Sequence, residues 1–366
     1  MSTLHKIVGL ITLFTLFISL AACRTQTEPT PTPEPEIVVP DTETGSVLNF
    51  YNWDTYIDPD ILADFEKEFD VTINYQIFDS QEELLAALEA GEVNYDLVVP
   101  SDAWLGQMRR GGLLAPLDKA NIPNLANLDP AFTNLVVDPG NRYCVPYQWG
   151  TVGIGYNASV TGPIESWDDV FDPAHAGRVG LMDDARNTMG LILLSLGYSP
   201  NTTDREEIDE AAQFLKDRAD IIAAYHGDDG QDLLAEGEFD IVLEWSGDIF
   251  QVMEENPDIN YWIPTNGSIQ WTDFICTPTN AQNKALAETF INYLLEPEVG
   301  AALSTYVQYG SPNQAAIPLL DEADRNNLAI YPPAEVRARL FPEAEVDAPT
   351  TAYYAAVWEE VLASVE

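Results

Sequence analysis

The sequence predicts an α/β protein of two domains, and three observations carry that prediction. Residues 47–100 read strand, helix, strand, helix, strand, which implies a parallel sheet with helices on its faces. A second α/β set begins at Arg178. Between and after them lie two apolar, aromatic stretches, Tyr143 to Tyr156 and Ile269 to Ile275, each able to cross from one domain to the other. A chain of 366 residues with 46% hydrophobic content supplies enough core for both.

Taken in order, the N-terminus is a targeting segment. Lys6 supplies positive charge, Ile7 to Leu20 is apolar, and Leu20-Ala21-Ala22-Cys23 follows. The apolar run is short for a membrane span, which needs about 20 residues. The tetrapeptide resembles the lipobox of bacterial lipoproteins, which implies removal of residues 1–22 as a signal peptide and lipidation of Cys23. Two or more acyl chains anchor a protein stably. Residues 23–45 then form a tether, since the alternating prolines of Glu28 to Glu36 forbid helix and favour an extended chain. The folded part is therefore expected outside the cytoplasm.

Val47 to Tyr51 reads as a buried strand, entering the aromatic and acidic turn Asn52-Trp53-Asp54-Thr55-Tyr56. Asp58-Pro59 starts a helix, with Asp at the N-cap and Pro at the first helical position. Ile61, Leu62, Phe65 and Phe69 share one stripe of it. Val71 to Ile77 alternates as a strand. Ser80 and Glu83 read as a capping box, with Gly91 as the stop. Asp96 to Pro100 is a short buried strand ending at Ser101. In the second half, Arg178 to Met182 is a strand ending at Asp183-Asp184. Thr203 and Glu206 cap a helix reaching Arg218, and Phe239 to Leu243 is a strand ending in Glu244-Trp245-Ser246-Gly247-Asp248. Tyr261 to Pro264 is a further apolar piece. Asn283 to Leu295 is a helix, and the remainder is mostly helical.

Sixty acidic residues against 16 basic leave a formal net charge of -44. Such a chain repels nucleic acid and anionic membrane surfaces. A saline habitat would select the same composition, so the charge favours cationic ligands only weakly. Past the leader the histidines are His175 and His226, and neither adjoins a nucleophile motif. Phosphate-binding glycine loops and zinc spacing are absent. Asp228 to Asp232 has the wrong spacing for a calcium loop. Asp183 and Asp184, as strand neighbours, point to opposite faces. The reading is a non-enzyme with no cofactor and no metal. Cys144 and Cys276 lie in an oxidising compartment, but their separation alone leaves their pairing open.

What recurs is an aromatic ring beside a carboxylate at strand ends: Trp53 with Asp54, Trp245 with Asp248, Trp271 with Asp273. Core packing explains any one pair. Three pairs at matching positions point to one cleft, since ligands of open α/β sheets bind at the strands' carboxyl ends. An ammonium group there gains a charge-assisted hydrogen bond, and its methylenes lie on indole faces. Carboxylates separated by apolar walls select a long dication over an amine of single charge.

The chain resembles the spermidine/putrescine-binding proteins of bacterial ABC transporters. The resemblance is carried by FYNWDTYIDPDILADFEKE, YDLVVPSD, LDPAF, VPYQWGTVGIGYN, MDDAR, LAEGEFDIVLEWSGD, WTDF, AETFINYLLEP and AIYPPAEVRARLF, in that order along the chain. It implies the two-domain periplasmic binding protein-like fold of type II, with residues 46–150 plus 273–310 as the N-terminal lobe. Residues 151–272 plus 311–366 would be the C-terminal lobe, and the ligand would lie between the two. By position, the resemblance implies that Trp53, Tyr56 and Trp271 are aromatic walls and that Asp54 and Ser101 line the cleft. Asp184 would be an acidic contact, Trp245 a stacking ring, Asp248 and Asp273 amine partners, and Tyr309 would face the cleft. It further implies a monomer that delivers its polyamine to permease subunits, touching the membrane through its lipid alone, in the periplasm or on the outer face of the cell membrane. Three positions depart from the family: Asn187 stands where a Glu is frequent, and Ala103 stands where an aromatic or hydroxyl residue is frequent, with Trp104 beside it. Glu343, near the C-terminus, would replace a polar contact of the family. Rival readings are a binding protein of the same fold for another cationic solute or ferric ion, prompted by Tyr353-Tyr354, and a secreted hydrolase.

Overall fold

The computed structural model describes residues 46–91, 93–227 and 229–365, so the leader, Cys23 and the tether lie outside the described residues. The first strand, β1 (Val47–Asn52), pairs in parallel with β2 (Thr72–Ile77), from Val47 opposite Thr72 to Asn52 opposite Ile77. Its other edge pairs in parallel with β3 (Leu97–Val98). Helix α1 (Pro59–Phe69) makes the first crossover, and the Asp58 carboxylate accepts the Asp60 N–H at 2.9 Å as its N-cap. Helix α2 (Gln81–Ala90) starts at Ser80, whose hydroxyl accepts the Glu83 N–H. The Glu83 carboxylate turns to the Asp79 N–H and the Tyr51 hydroxyl instead of closing the expected capping box on Ser80. After β3 the chain enters α3 (Asp102–Arg110) directly at Ser101.

Two long strands hold the molecule together. β4 (Cys144–Asn157) runs for 14 residues. In the second half, β5 (Val179–Met182), α4 (Ala185–Leu196) and α5 (Arg205–Lys216) follow. The cap of α5 is Asp204, which accepts the Glu206 N–H, where Thr203 was expected; Thr202 caps Asp204 in turn. β6 (Ile222–His226) and β7 (Ile241–Trp245) follow. β7 sits two residues later than its apolar run, because Glu244 and Trp245 continue the ladder to β4 opposite Gly153 and Val152. Helix α6 (Ser246–Glu255), β8 (Ile259–Trp262) and β9 (Ser268–Cys276) complete the region. The chain ends with α7 (Lys284–Leu294), α8 (Pro297–Val307), β10 (Leu340–Pro342) and α9 (Ala348–Leu362).

The sheet order is β2-β1-β3-β9-β4-β7-β5-β6, with β10 on β9 and β8 on β4. β9 returns antiparallel to β4, from Cys144 opposite Cys276 to Thr151 opposite Gln270, with a register irregularity after Pro146, which has no N–H to give. Two cores flank this central pair. One gathers Phe50, Phe65, Leu97, Ile275 and Phe290. The other gathers Ile154, Leu181, Leu193, Ile208, Leu243 and Trp358. Trp245 and Trp271 pack against both. Cys144 and Cys276, facing each other in the register, are disulfide-bonded. The segment expected to join the C-terminal lobe from residue 311 first lies on the other side: Asn313 bridges Leu128, and Ala316 and Leu320 pack with Ala301 of α8. It reaches the second core only with α9, against α4 and α5.

Candidate functional site

Alternation along β9 puts Trp271 and Asp273 on one face of the strand. Opposite Trp271 stands Gly150, where a Cβ would lie 2.4 Å from the indole Cζ2. The absent side chain is what lets the indole lie across β4. Gly247, at the start of α6, admits Tyr309 in the same way, since its Cβ would lie 2.4 Å from the phenol Cζ.

These spaces let the rings interlock. Tyr309 stands edge-on to Trp271 at 4.8 Å and to Tyr56 at 5.9 Å. Tyr56 stands edge-on to Tyr147 at 5.3 Å, and the Tyr147 hydroxyl donates to the Tyr56 carbonyl at 2.6 Å. The Tyr309 hydroxyl donates to Asp248 Oδ2 at 2.9 Å, joining a residue after α8 to the first turn of α6. Such edge-to-face pairs hold aromatic walls in fixed orientations.

Asp273 sits inside this frame, 8% exposed, with a bridge from Ser101 to its backbone. Burial pushes its carboxyl up to about 7, and the Tyr56 hydroxyl facing it pulls the other way. Among the described residues no Lys, Arg or His forms an ion pair with it. Asp102 lies next along, at the first turn of α3 and 5% exposed. Burial first, then the nearby Glu343 and Asp273 carboxylates, push Asp102 well above the carboxylate range, although the Ala103 and Thr272 N–H groups donate to it. Glu343 follows β10, and its side chain is 18% exposed. Burial and Asp184 push it up to about 7, against the pull of Arg186 at 3.8 Å.

The other expected residues are placed as follows. Trp53 lies just past β1, its ring 4.4 Å from that of Phe78, and its Nε1 has no partner. Asp54 is exposed and accepts the N–H of Thr55, whose φ is 46°, so its carboxylate holds the turn. No contact joins it to Asp273. Asp184 is the N-cap of α4, taking the Arg186 and Asn187 N–H groups on Oδ1 and the Asn187 side-chain amide on Oδ2. Trp245 ends β7 with its N–H on the carboxylate of Glu244. Tyr56, Trp271, Asp273, Tyr309 and Asp248 are thus one connected cluster, with Ser101 at its backbone edge. Asp184 borders it through Glu343, and Asp54 stands apart. The Tyr353 and Tyr354 hydroxyls of α9 donate to Asp209 and to the Thr202 carbonyl, in the second lobe's helical layer.

Asp102 carried no signal in the sequence beyond that of an acidic residue in a helix's first turn, the commonest use of Asp there. A slot of aromatic rings and buried carboxylates, removed from water, suits an organic cation: the charge is balanced by carboxylates and the carbon chain by ring faces.

The family of bacterial extracellular solute-binding proteins matches over residues 60–328. The spermidine/putrescine-binding periplasmic protein of Escherichia coli (strain K12) is 37% identical over 296 residues, 80% of this chain and 85% of that protein. The putrescine-binding periplasmic protein PotF of the same organism is 37% identical over 316 residues, with the same coverage. Among solved structures, the spermidine/putrescine ABC transporter substrate-binding protein PotD of Streptococcus pneumoniae superposes with a TM-score of 0.82 at 33% identity, covering 88% of this chain and all of that one. The Tp0655 (TpPotD) lipoprotein of Treponema pallidum gives 0.78 at 29% identity, covering 86% and 99%.

Proposed function

This chain belongs to the bacterial extracellular solute-binding proteins, and from that premise we propose how it works. It is an extracytoplasmic receptor that captures a polyamine and delivers it to an ABC transporter. The named functions of its relatives support the ligand class. Asp273 is the observation in this chain that carries it: a carboxylate 8% exposed, ringed by Tyr56, Trp271 and Tyr309, with no cationic partner among the described residues. A buried charge of this kind is costly until a counter-charge enters. An amine supplies that charge, and its methylenes replace water on the rings.

The two cores act as lobes that close on the ligand about β4 and β9, the two strands that pass between them. Tyr56 and Ser101 reach the cleft from one lobe, Trp245, Asp248 and Asp184 from the other, and Trp271 and Asp273 from a crossing strand. Contacts from both sides are what favour the closed state once ligand is present. The protein turns over no substrate and works as a monomer. The lipobox-like sequence before Cys23 supports a lipid anchor, and one structural relative is itself named a lipoprotein. No helix among the described residues is long and apolar enough to cross a membrane.

Titration calorimetry of the full-length protein with putrescine and spermidine tests the reading, at an ionic strength high enough to screen the acidic surface. One-to-one binding that persists with added salt is expected. Asp273→Ala should weaken it by about a hundredfold or more, as loss of one partner of a buried charge pair does, while exposed Glu89→Gln leaves it unchanged. Weak, multi-site, salt-sensitive binding would mean that only the acidic surface responds. Equal effects of the two substitutions would remove Asp273 from the site.

A further inference from the structure

Two rows of side chains cross β4 beneath the cleft. β4 is held on one edge by β9 and, near Trp149, on the other by the residues that follow α8. Trp149 and Gly310 exchange both backbone hydrogen bonds, at 3.0 and 2.9 Å, in an antiparallel bridge. Their neighbours on either side therefore stand opposite each other as well, Gly150 with Tyr309 and Gln148 with Ser311. On the β9 edge, Gly150 is opposite Trp271 and Gln148 is opposite Asp273. Trp271, Gly150 and Tyr309 form one row, and the two rings meet across the glycine at 4.8 Å. Asp273, Gln148 and Ser311 form the next row, on the same face of β4.

This second row is polar where its surroundings are not. Gln148 is 1% exposed and Ser311 is 6% exposed. The Gln148 Oε1 is sealed from solvent and has no hydrogen-bond partner. Both residues line a small cavity, with Ile275, Ile291, Leu294 and Leu303 among its apolar walls. A buried carboxamide oxygen left unpaired is costly, so packing alone does not explain a Gln here. Ser311 Oγ accepts the Asn313 N–H at 3.2 Å, which leaves its hydroxyl proton to be donated. Residues directly opposite on paired strands hold their Cβ atoms about 5 Å apart. One carboxamide therefore reaches both neighbours, its oxygen the Ser311 hydroxyl and its amide the Asp273 carboxylate.

We propose that Gln148 is a positioning residue for Asp273: its carboxamide, held by the Ser311 hydroxyl and given room to turn by the cavity, donates to the Asp273 carboxylate from the core side and keeps it charged for an incoming amine. The amine itself rests on the polyamine reading, whereas the link from Gln148 to Asp273 forms with or without it. The other groups facing Asp273 are the neutral Tyr56 and Tyr147 hydroxyls and the Asp102 carboxyl. Burial opposes the charged form of Asp273, and an ionised Asp102 would oppose it further. A neutral donor on the remaining side favours the carboxylate without placing beside it a cation that would compete with the ligand, as Lys or Arg would.

Gln148→Met tests this, since it keeps the length of the side chain and removes both polar ends. The Asp273 carboxyl carbon, followed by NMR in the ligand-free full-length protein, should titrate about 0.5 to 1 pH unit higher in the variant, the size expected of one lost hydrogen bond. Spermidine affinity should fall by about two- to fivefold near pH 7, where fewer molecules then carry the carboxylate, and should rejoin wild type near pH 9. Leu303→Ala widens the same cavity and keeps the carboxamide; it should lower the melting temperature and leave the Asp273 titration in place. An unmoved titration in Gln148→Met, or an equal move in Leu303→Ala, would overturn the positioning role. A loss of affinity of one size at every pH would also overturn it, and would make Gln148 a direct contact of the ligand. If wild type binds neither putrescine nor spermidine in a salt-resistant, one-to-one manner, the polyamine reading fails, and the NMR titration still decides what Gln148 does to Asp273.

Discussion

At the scale of single residues, the cleft is defined by carboxylates that burial makes reluctant to ionise. Asp273 is raised to about 7 in the folded protein, against about 4 for an unfolded carboxyl. A folded value above the unfolded one means that the protonated form favours the fold. This group's contribution to stability is therefore complete below about pH 4 and is lost as the pH rises through about 7. Glu343 is shifted in the same direction. An ammonium ligand needs the carboxylate, so binding below about 7 must first displace a proton. The rise in melting temperature caused by spermidine is accordingly expected to be larger at about pH 8 than at about pH 6. Thermal unfolding at the two values measures it. A rise that is larger at the lower pH would contradict the assignment of these groups to the ligand. Asp54 illustrates the opposite fate of an acidic residue: one turn, one N–H, and no part in the cluster.

At the scale of elements, β4 and β9 do most of the organising. Their ladder carries Trp271 and Asp273, seats Gly150 under the indole, and ends in the Cys144–Cys276 disulfide. That link closes a loop with a sequence separation of 132. Replacing both cysteines with serine should lower stability by about 2–4 kcal/mol, read from denaturant unfolding under oxidising conditions. Cys276 lies on the strand face opposite Asp273, so amine affinity should change by no more than about threefold, as expected for sites without shared partners. A large loss of affinity with little loss of stability would mean that the disulfide shapes the cleft itself. Three helix starts serve the same end: α3 and α6 carry Asp102 and Asp248 in their first turns, and Asp184 caps α4.

At the scale of the whole molecule, the residues after β10 tie the two sides together. The Ala344 backbone is held by Arg186 and Asn201 of the second half, while the next residue, Glu345, is clasped by Arg110 of α3. The Arg110 and Glu345 side chains are 61% and 45% exposed, so solvent screens the pair. Arg110→Ala is expected to weaken amine binding by no more than about threefold at low salt and not at all at high salt. A large, salt-independent loss would show that this clasp, and not the ligand, holds the lobes closed. The acidic surface, at a formal -44, adds attraction for any polycation at low ionic strength.

What the sequence determined by itself is local. The β-α-β-α-β run, the Asp58-Pro59 helix start, the stop at Gly91 and the period-two pairing of Trp271 with Asp273 were legible because each follows from neighbours a few residues away. Even there, the start of α5 and the span of β7 moved by one or two residues, since Thr202 and the ladder to β4 compete with local preference. The ligand class was legible through aromatic–carboxylate pairs and the family resemblance. Only the tertiary structure decided which carboxylates stand together. It brought Glu343 near Asp102, more than two hundred positions away, and Asp102 near Asp273; it made Asp184 a helix cap and sent Asp54 to solvent; it joined Cys144 to Cys276. The reason is physical: a carboxylate's charge state depends on what excludes water from it and which charges face it, and β9 assembles those from segments that no local pattern connects.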